Sequence, residues 1–199
     1  HRDLHSFPTR RSSDLFEVRG AKSNNVILAG SEPYSHNFSP FIDTRPGVPA
    51  SERYKALAGV HKTGLAAFVS PDGLSWRKLR EEPVFPPQKE YAFDSQNTAF
   101  WSESEGCYVL YFRTWKKIGG VNYRWISRAT SDDFIRWSPP AVMSFGSAPP
   151  EHLYTHQTSP YFRAPHIYPG ICARVMPGRQ VLNDEQAAAV GVDPKYFKD

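Results

Sequence analysis

The feature that most constrains this chain is a turn that occurs twice. Ser70-Pro71-Asp72-Gly73-Leu74-Ser75-Trp76 and Ser131-Asp132-Asp133-Phe134-Ile135-Arg136-Trp137 share the pattern Ser-x-Asp-[Gly/Phe]-[Leu/Ile]-x-Trp, and their tryptophans lie 61 positions apart (76 to 137). A serine hydroxyl and a carboxylate two residues later bond neighbouring backbone N–H groups and tighten such a turn. The tryptophan that follows is large enough to cover a sheet edge. What precedes each turn is also shared. Tyr54 to Gly59 and Leu65 to Val69 lead into the first, and Tyr108 to Arg113 and Tyr123 to Thr130 into the second. Each unit reads as strand, loop, strand, turn, outer strand.

Three segments that open such units also look alike: His36 to Ile42, Asp94 to Trp101 and His156 to Phe162 each begin with small polar groups and then turn apolar. Repeats of four short strands are the signature of a β-propeller. Two unrelated hairpins of a β-sandwich are the competing reading. The propeller reading predicts blades over about 34–85 and 91–145 and the start of another over about 151–182. Residues 16–30 would be the outer end of a preceding blade, and the long period is attributed to loop insertions such as Arg113 to Asn122. Asp184 to Val190 reads as a short helix with Asn183 as its N-cap. Composition agrees with the β class: aromatics make up 14%, there are 18 Pro and only 2 Met, a poor recipe for a helical bundle. The expected fold is all-β, an incomplete five-bladed propeller of about three blades with a short C-terminal helix.

Charge excludes some partners. The formal net charge of +4 comes from 24 basic and 20 acidic residues, and the basic ones are scattered. A nucleic-acid groove needs them clustered along a phosphate track, so no nucleic-acid partner is expected. No apolar run is long enough to span a membrane. Cys107 and Cys172 cannot make a zinc site by themselves, and His152, His156 and His166 are not at a metal-ligand spacing, so neither metal nor cofactor is expected. Whether the two cysteines pair is left open. Residues 1–15 show no apolar periodicity and no signal-peptide core. His5 to Leu15 resembles the in-frame translation of a sequencing-adapter oligonucleotide, of the kind found at the ends of assembled metagenomic genes. On this reading residues 1–15 are a non-native leader and 16–199 a partial propeller domain. Location is left open, a secreted or periplasmic parent being compatible.

The two turns, Phe93-Asp94-Ser95-Gln96-Asn97, and the run from Pro149-Pro150-Glu151-His152-Leu153 to Tyr161-Phe162-Arg163-Ala164-Pro165-His166 carry a resemblance. They are similar to bacterial proteins described as glycosyl hydrolase family 32 N-terminal-like, among the five-bladed propeller glycosidases of the fructosidase and arabinanase type. The turn departs from the sialidase Asp-box, because Gly73 follows Asp72 directly. The Trp-Met-Asn-Asp-Pro and Arg-Asp-Pro signatures of fructosidases are absent. The resemblance implies a carbohydrate ligand and carboxylates at the mouth of a channel. One carboxylic acid protonates the leaving oxygen while an ionised carboxylate attacks or activates water.

In that plan Asp94 falls where the family's middle Asp lies, and Glu151 is the candidate acid. The Asp of the first blade has no counterpart, which implies that this chain alone is inactive. Gln96, Asn97, Arg113, His152, His156, Gln157, Arg163 and His166 are the candidate ligands for sugar hydroxyls, with His152 or Arg163 also placed to tune Glu151. Arg163 and His166 are expected to alternate along one strand. Trp101, Tyr111, Trp115 and Trp125 are expected mainly in the core, one or two of them serving as stacking platforms. Asp72 and Asp133 are expected to be structural. A carbohydrate-binding or interaction propeller without catalysis is the alternative function.

Overall fold

A computed structural model describes residues 16–17, 20, 24–88 and 92–193. The proposed leader at 1–15 lies outside the described residues. Among the described residues the chain is nearly all β, with antiparallel sheets that do not close on themselves and one small α-helix. The first sheet contains β1 (Ser39–Ile42), β2 (Tyr54–Val60), β3 (Gly64–Ser70) and β4 (Arg77–Lys78), in that spatial order. The second contains β5 (Thr98–Ser102), β6 (Cys107–Ile118), β7 (Val121–Ser131) and β8 (Ala141–Val142), again in chain order. β9 (His152–His156) and β10 (Cys172–Val175) form a two-stranded sheet, and α1 covers Asp184–Ala189.

Alternation along the strands decides how the sheets stack. Leu57, Leu65 and Ala67 on the first sheet meet Tyr108, Leu110, Phe112 and Ala129 on the second, with Phe85, Phe93 and Phe134 between them. The opposite face of the first sheet presents Ala56, Ala58, Ala66 and Phe68, and against these pack Leu28, Phe38 and Trp76. The opposite face of the second sheet presents Phe100, Val109, Tyr111 and Ile126 to Leu153, Tyr168 and Cys172 of the third. Because both faces of β3 are covered, all seven of its residues are buried, which is why its sequence is a continuous apolar run. Gly64 is required where it stands: its φ is +79°, and a Cβ would lie 2.2 Å from the Phe85 carbonyl oxygen. That carbonyl accepts the Leu65 N–H at 3.0 Å.

The two recurring turns are built from the same hydrogen bonds. Asp72 Oδ1 accepts the N–H groups of Leu74 and Ser75 at 2.9 and 2.8 Å, and Asp133 Oδ1 accepts those of Ile135 and Arg136 at 2.9 and 2.8 Å. In each the serine hydroxyl, Ser70 or Ser131, donates to the same carboxylate. Both turns pass through the left-handed region one residue after the Asp, at Gly73 (φ +76°) and Phe134 (φ +66°).

Four expectations about strands meet a different outcome. Arg113 to Asn122 is not a loop insertion but the end of a long hairpin, with eleven residue pairs from Tyr108↔Ser131 to Ile118↔Val121. Gly119 and Gly120 both have positive φ, the conformation that a tight two-residue hairpin turn demands. The third opening strand is displaced: β9 ends at His156, and the regular strand does not continue to Phe162. Pro160, Pro165 and Pro169 lack N–H donors, so only irregular bonds such as Gln157 N–H to Ile171 and Tyr161 N–H to Ile167 hold that stretch. The first two opening strands begin late, at Ser39 and Thr98, because turns hold the residues before them, and the described residues of 16–30 contain no strand. The helix is capped as expected: Asn183 accepts the Gln186 N–H and the Gln186 side chain accepts the Asn183 N–H. Cys107 and Cys172 are free thiols packed on the same apolar cluster, and burial pushes both thiols up.

Candidate functional site

Asp94 is placed by a strained turn. Phe93 has φ +66° and is fully buried, packed 5.6 Å from Phe85 and 5.1 Å from Phe112 between ring centres. Its carbonyl accepts the side-chain N–H of Asn37 at 2.7 Å and of Asn97 at 3.3 Å. The Asn97 backbone N–H in turn donates to Ser39 Oγ. A non-glycine residue in this conformation persists only when its surroundings hold it there. The consequence is that Asp94, one residue on, is turned out of the core and is 42% exposed.

Arg113 reaches Asp94 from the hairpin. Its Nη2 donates to Asp94 Oδ2 at 2.8 Å, and the arginine side chain is only 3% exposed. His36 Nε2 lies 3.6 Å from Asp94 Oδ1 and is half exposed. Arg113, Trp115 and Lys117 share one face of β6, and Arg124 is the cross-strand partner of Trp115. Tyr154 of β9 closes this patch, with the Arg113 guanidinium 5.1 Å from its ring centre.

The other expected residues divide among several places. His152 accepts the Arg124 backbone N–H through Nδ1 at 3.2 Å and lies against Tyr123. Burial, with the Arg124 charge nearby, lowers its pKa. It is therefore beside the patch but does not touch Glu151 through any hydrogen bond or ion pair among the described residues. Gln96 accepts a hydrogen bond from Gln157 Nε2, which ties the segment after Asp94 to the segment after β9. Asn97 is fully buried and holds the Phe93 carbonyl. His156 is fully buried as well, packed edge-on to Tyr111, and burial pushes its imidazole down to about 4. Both therefore act from inside, Asn97 by shaping the Asp94 turn and His156 as a core side chain.

Glu151 stands in a different ion pair. Its Oε1 accepts from Arg174 of β10, and it lines a shallow cleft with Trp125, Phe145, Leu153 and Cys172. Arg163 and His166 do not alternate on a strand. They sit exposed in two successive turns, Arg163 in the one closed by Tyr161 and Ala164, lying over Phe162 at 5.2 Å, and His166 in the next, closed by the Ile167 N–H to the Ala164 carbonyl. Pro165, between them, cannot donate to a ladder. The structure thus pairs Asp94 with Arg113 and ties Gln96, two residues on, to Gln157 just after β9, while His152 at the start of β9 bonds the Arg124 backbone. Glu151 is engaged instead by Arg174, and Arg163 and His166 lie in the exposed turns beyond β9. Trp125 donates its Nε1–H to the Met143 carbonyl at 2.7 Å and is buried, as is Tyr111.

Sequence reading missed Arg124, Tyr154 and His36 as members of this patch. A signal for Arg124 was present: a hairpin closed at Gly119-Gly120 puts Arg113, Trp115 and Arg124 on one face by simple counting. Nothing local marks Tyr154 or His36. Sequence reading also missed a buried charge network. Lys55 Nζ lies 3.1 Å from Asp43 Oδ2 and 3.2 Å from Glu52 Oε2, and Tyr108 donates its O–H to Asp43 at 2.6 Å. Burial, together with that acceptor, pushes the Tyr108 phenol far above its ordinary value. Among the described residues no group of three or more His, Cys, Asp or Glu side chains is arranged to hold a metal ion.

No family model matches the chain, and no curated protein matches it. Comparison with solved structures aligns 72% of this chain with a proposed exo-beta-1,3-galactanase from Bifidobacterium bifidum s17, at 13% sequence identity and a TM-score of 0.44. This chain spans 45% of that protein's length.

Proposed function

We propose that this chain is part of a glycosidase-like β-propeller that binds a carbohydrate at the Asp94 patch. The observation that carries the reading is the Asp94 carboxylate, partly open to solvent and held by buried Arg113 beside the rings of Trp115 and Tyr154. Saccharide recognition needs this combination. An apolar ring face takes the C–H side of a sugar, and a carboxylate held in place by a buried guanidinium bonds its hydroxyls in fixed directions. Support for the propeller comes from the two four-stranded meanders, which share one turn chemistry and stack face to face in chain order. In the hydrolytic form of this reading Asp94 is the ionised carboxylate and Glu151 the acid.

A second reading, binding without hydrolysis, is favoured by one observation: Asp94 and Glu151 are held in separate ion pairs, with Arg113 and Arg174. Calorimetric titration of the chain with a panel of oligosaccharides tests the binding claim. Saccharide binding that Asp94→Asn weakens at least tenfold supports it, and a panel with no binder overturns it. Aryl glycosides separate the two forms. No turnover is expected from this chain, and measurable release of the aglycone would place the hydrolytic form ahead.

A further inference from the structure

The patch around Asp94 is unbalanced in charge. Arg113 and Arg124 share the same two rings: Arg113 lies 6.0 Å from the Trp115 centre and 5.1 Å from that of Tyr154, and Arg124 lies 5.3 and 5.9 Å from them. Arg113 has Asp94 as its carboxylate. Among the described residues no carboxylate pairs with Arg124. Its Nε, like the Trp115 Nε1, is buried, but Arg124 as a whole is only partly buried, so its outer edge is what a ligand can meet. Lys117, exposed and two residues beyond Trp115, adds a third cation to the same face. His152 and His36 are the titratable neighbours, and neither adds a negative charge. A guanidinium stacked on a ring keeps its N–H edge free in the ring plane, where it meets a carboxylate or sulfate in two parallel bonds.

We infer that the saccharide taken by this patch is acidic, a sugar bearing a carboxylate or sulfate group whose charge is received by Arg124 while a sugar face lies against Trp115 or Tyr154. The inference rests on the carbohydrate reading above and adds the chemical class of the ligand. The juxtaposition of two guanidiniums and two rings with a single carboxylate is what calls for an anion. A neutral sugar would leave the second guanidinium without a counter-charge.

Binding of three defined probes to the purified chain decides it: an oligogalacturonide, a sulfated galactan oligosaccharide and a neutral galactan oligosaccharide of equal length. At least one acidic probe is expected to bind tenfold or more tighter than the neutral one, and to weaken between 50 and 300 mM salt on the order expected for screened charges. Which acidic probe wins tells carboxylate from sulfate. Arg124→Gln is expected to remove at least tenfold of the acidic affinity, with Arg124→Lys intermediate because the planar fork is lost. Arg136→Gln removes the same charge from an exposed turn and is expected to change nothing, which separates a site from a general charge effect. Equal binding of all three probes, or acidic binding unmoved by Arg124→Gln in a chain with native circular dichroism, overturns the acidic assignment alone. No binding of any probe overturns the carbohydrate reading along with it.

Discussion

Lys55 and Asp43 form an ion pair with no access to water. Their charged atoms are 3.1 Å apart, and the two side chains are 2% and 0% exposed. Asp43 also accepts the Tyr108 O–H from the second sheet, so the pair fastens one sheet to the next. Removing one partner leaves a buried charge uncompensated, which typically costs about 3–5 kcal/mol. Lys55→Met is therefore expected to lower the unfolding free energy by that amount in urea titration. A loss below about 1 kcal/mol would show that the network carries little of the contact between the sheets.

Phe134 takes in the second turn the backbone conformation that Gly73 takes in the first, but for a different reason. Its ring is fully buried, 5.6 Å from Phe41 and 5.1 Å from Tyr108, with Lys55 Nζ 6.0 Å above it. Phe134→Ala is expected to cost about 3–5 kcal/mol, the usual range for a buried Phe. Gly73→Ala is expected to cost about 1 kcal/mol, since its Cβ would meet the Tyr54 ring at 3.3 Å in a left-handed conformation. Equal costs in a thermal or urea series would mean that the buried ring is not the source of the difference.

Asp133 gives the fold an acid-sensitive turn. Burial opposes its ionisation, but bonds from the Arg136 and Ile135 N–H groups, the Arg136 side chain and Ser131 outweigh that and lower its pKa from 3.8 to about 2. A carboxylate depressed on folding stabilises above its unfolded pKa and loses that contribution as pH falls through the folded value. The melting temperature is expected to fall between about pH 4 and pH 2, and less steeply in Asp133→Asn, which starts from a lower stability at neutral pH. Asp72, lowered in the same direction by its own turn, adds to the slope. Parallel profiles for the two proteins would contradict this assignment.

His156 acts in a higher window. Burial lowers its pKa from 6.5 to about 4, so the unfolded chain binds a proton that the folded one refuses. Stability is then full above about pH 6.5 and declines as pH falls from there towards 4. His156→Phe is expected to flatten the melting-temperature profile between those values. The C2 proton of His156, followed by NMR, is expected to titrate near 4, well below the ordinary 6.5 of an imidazole.

The division between legible and hidden features follows the range of the interactions. Ser70 with Asp72, Ser131 with Asp133 and Asn183 with Gln186 close hydrogen bonds within three residues, so sequence spacing already contains them. The strands flanking the turns were legible for the same reason, since alternation and turn residues are local. The Gly119-Gly120 hairpin was legible too, though the expectation of an inserted loop passed over it. The helix was marked by its cap. Arg113 with Asp94 spans 19 positions and Tyr108 with Asp43 spans 65, and neither partner carries a local mark of the other.

By itself, the sequence determined a nearly all-β chain with two matching turns, most of the described strands and a capped helix at Asp184–Ala189. Tertiary structure alone decided that Asp94 faces Arg113, that Glu151 belongs to Arg174, that His156 is sealed in the core, and that Arg124 shares its rings with Arg113. The physical reason is that side-chain partners are chosen when sheets stack. Stacking depends on which faces are covered and on the register between segments far apart in the chain. The opening turn foretold the sheets, and only their stacking assembled the site.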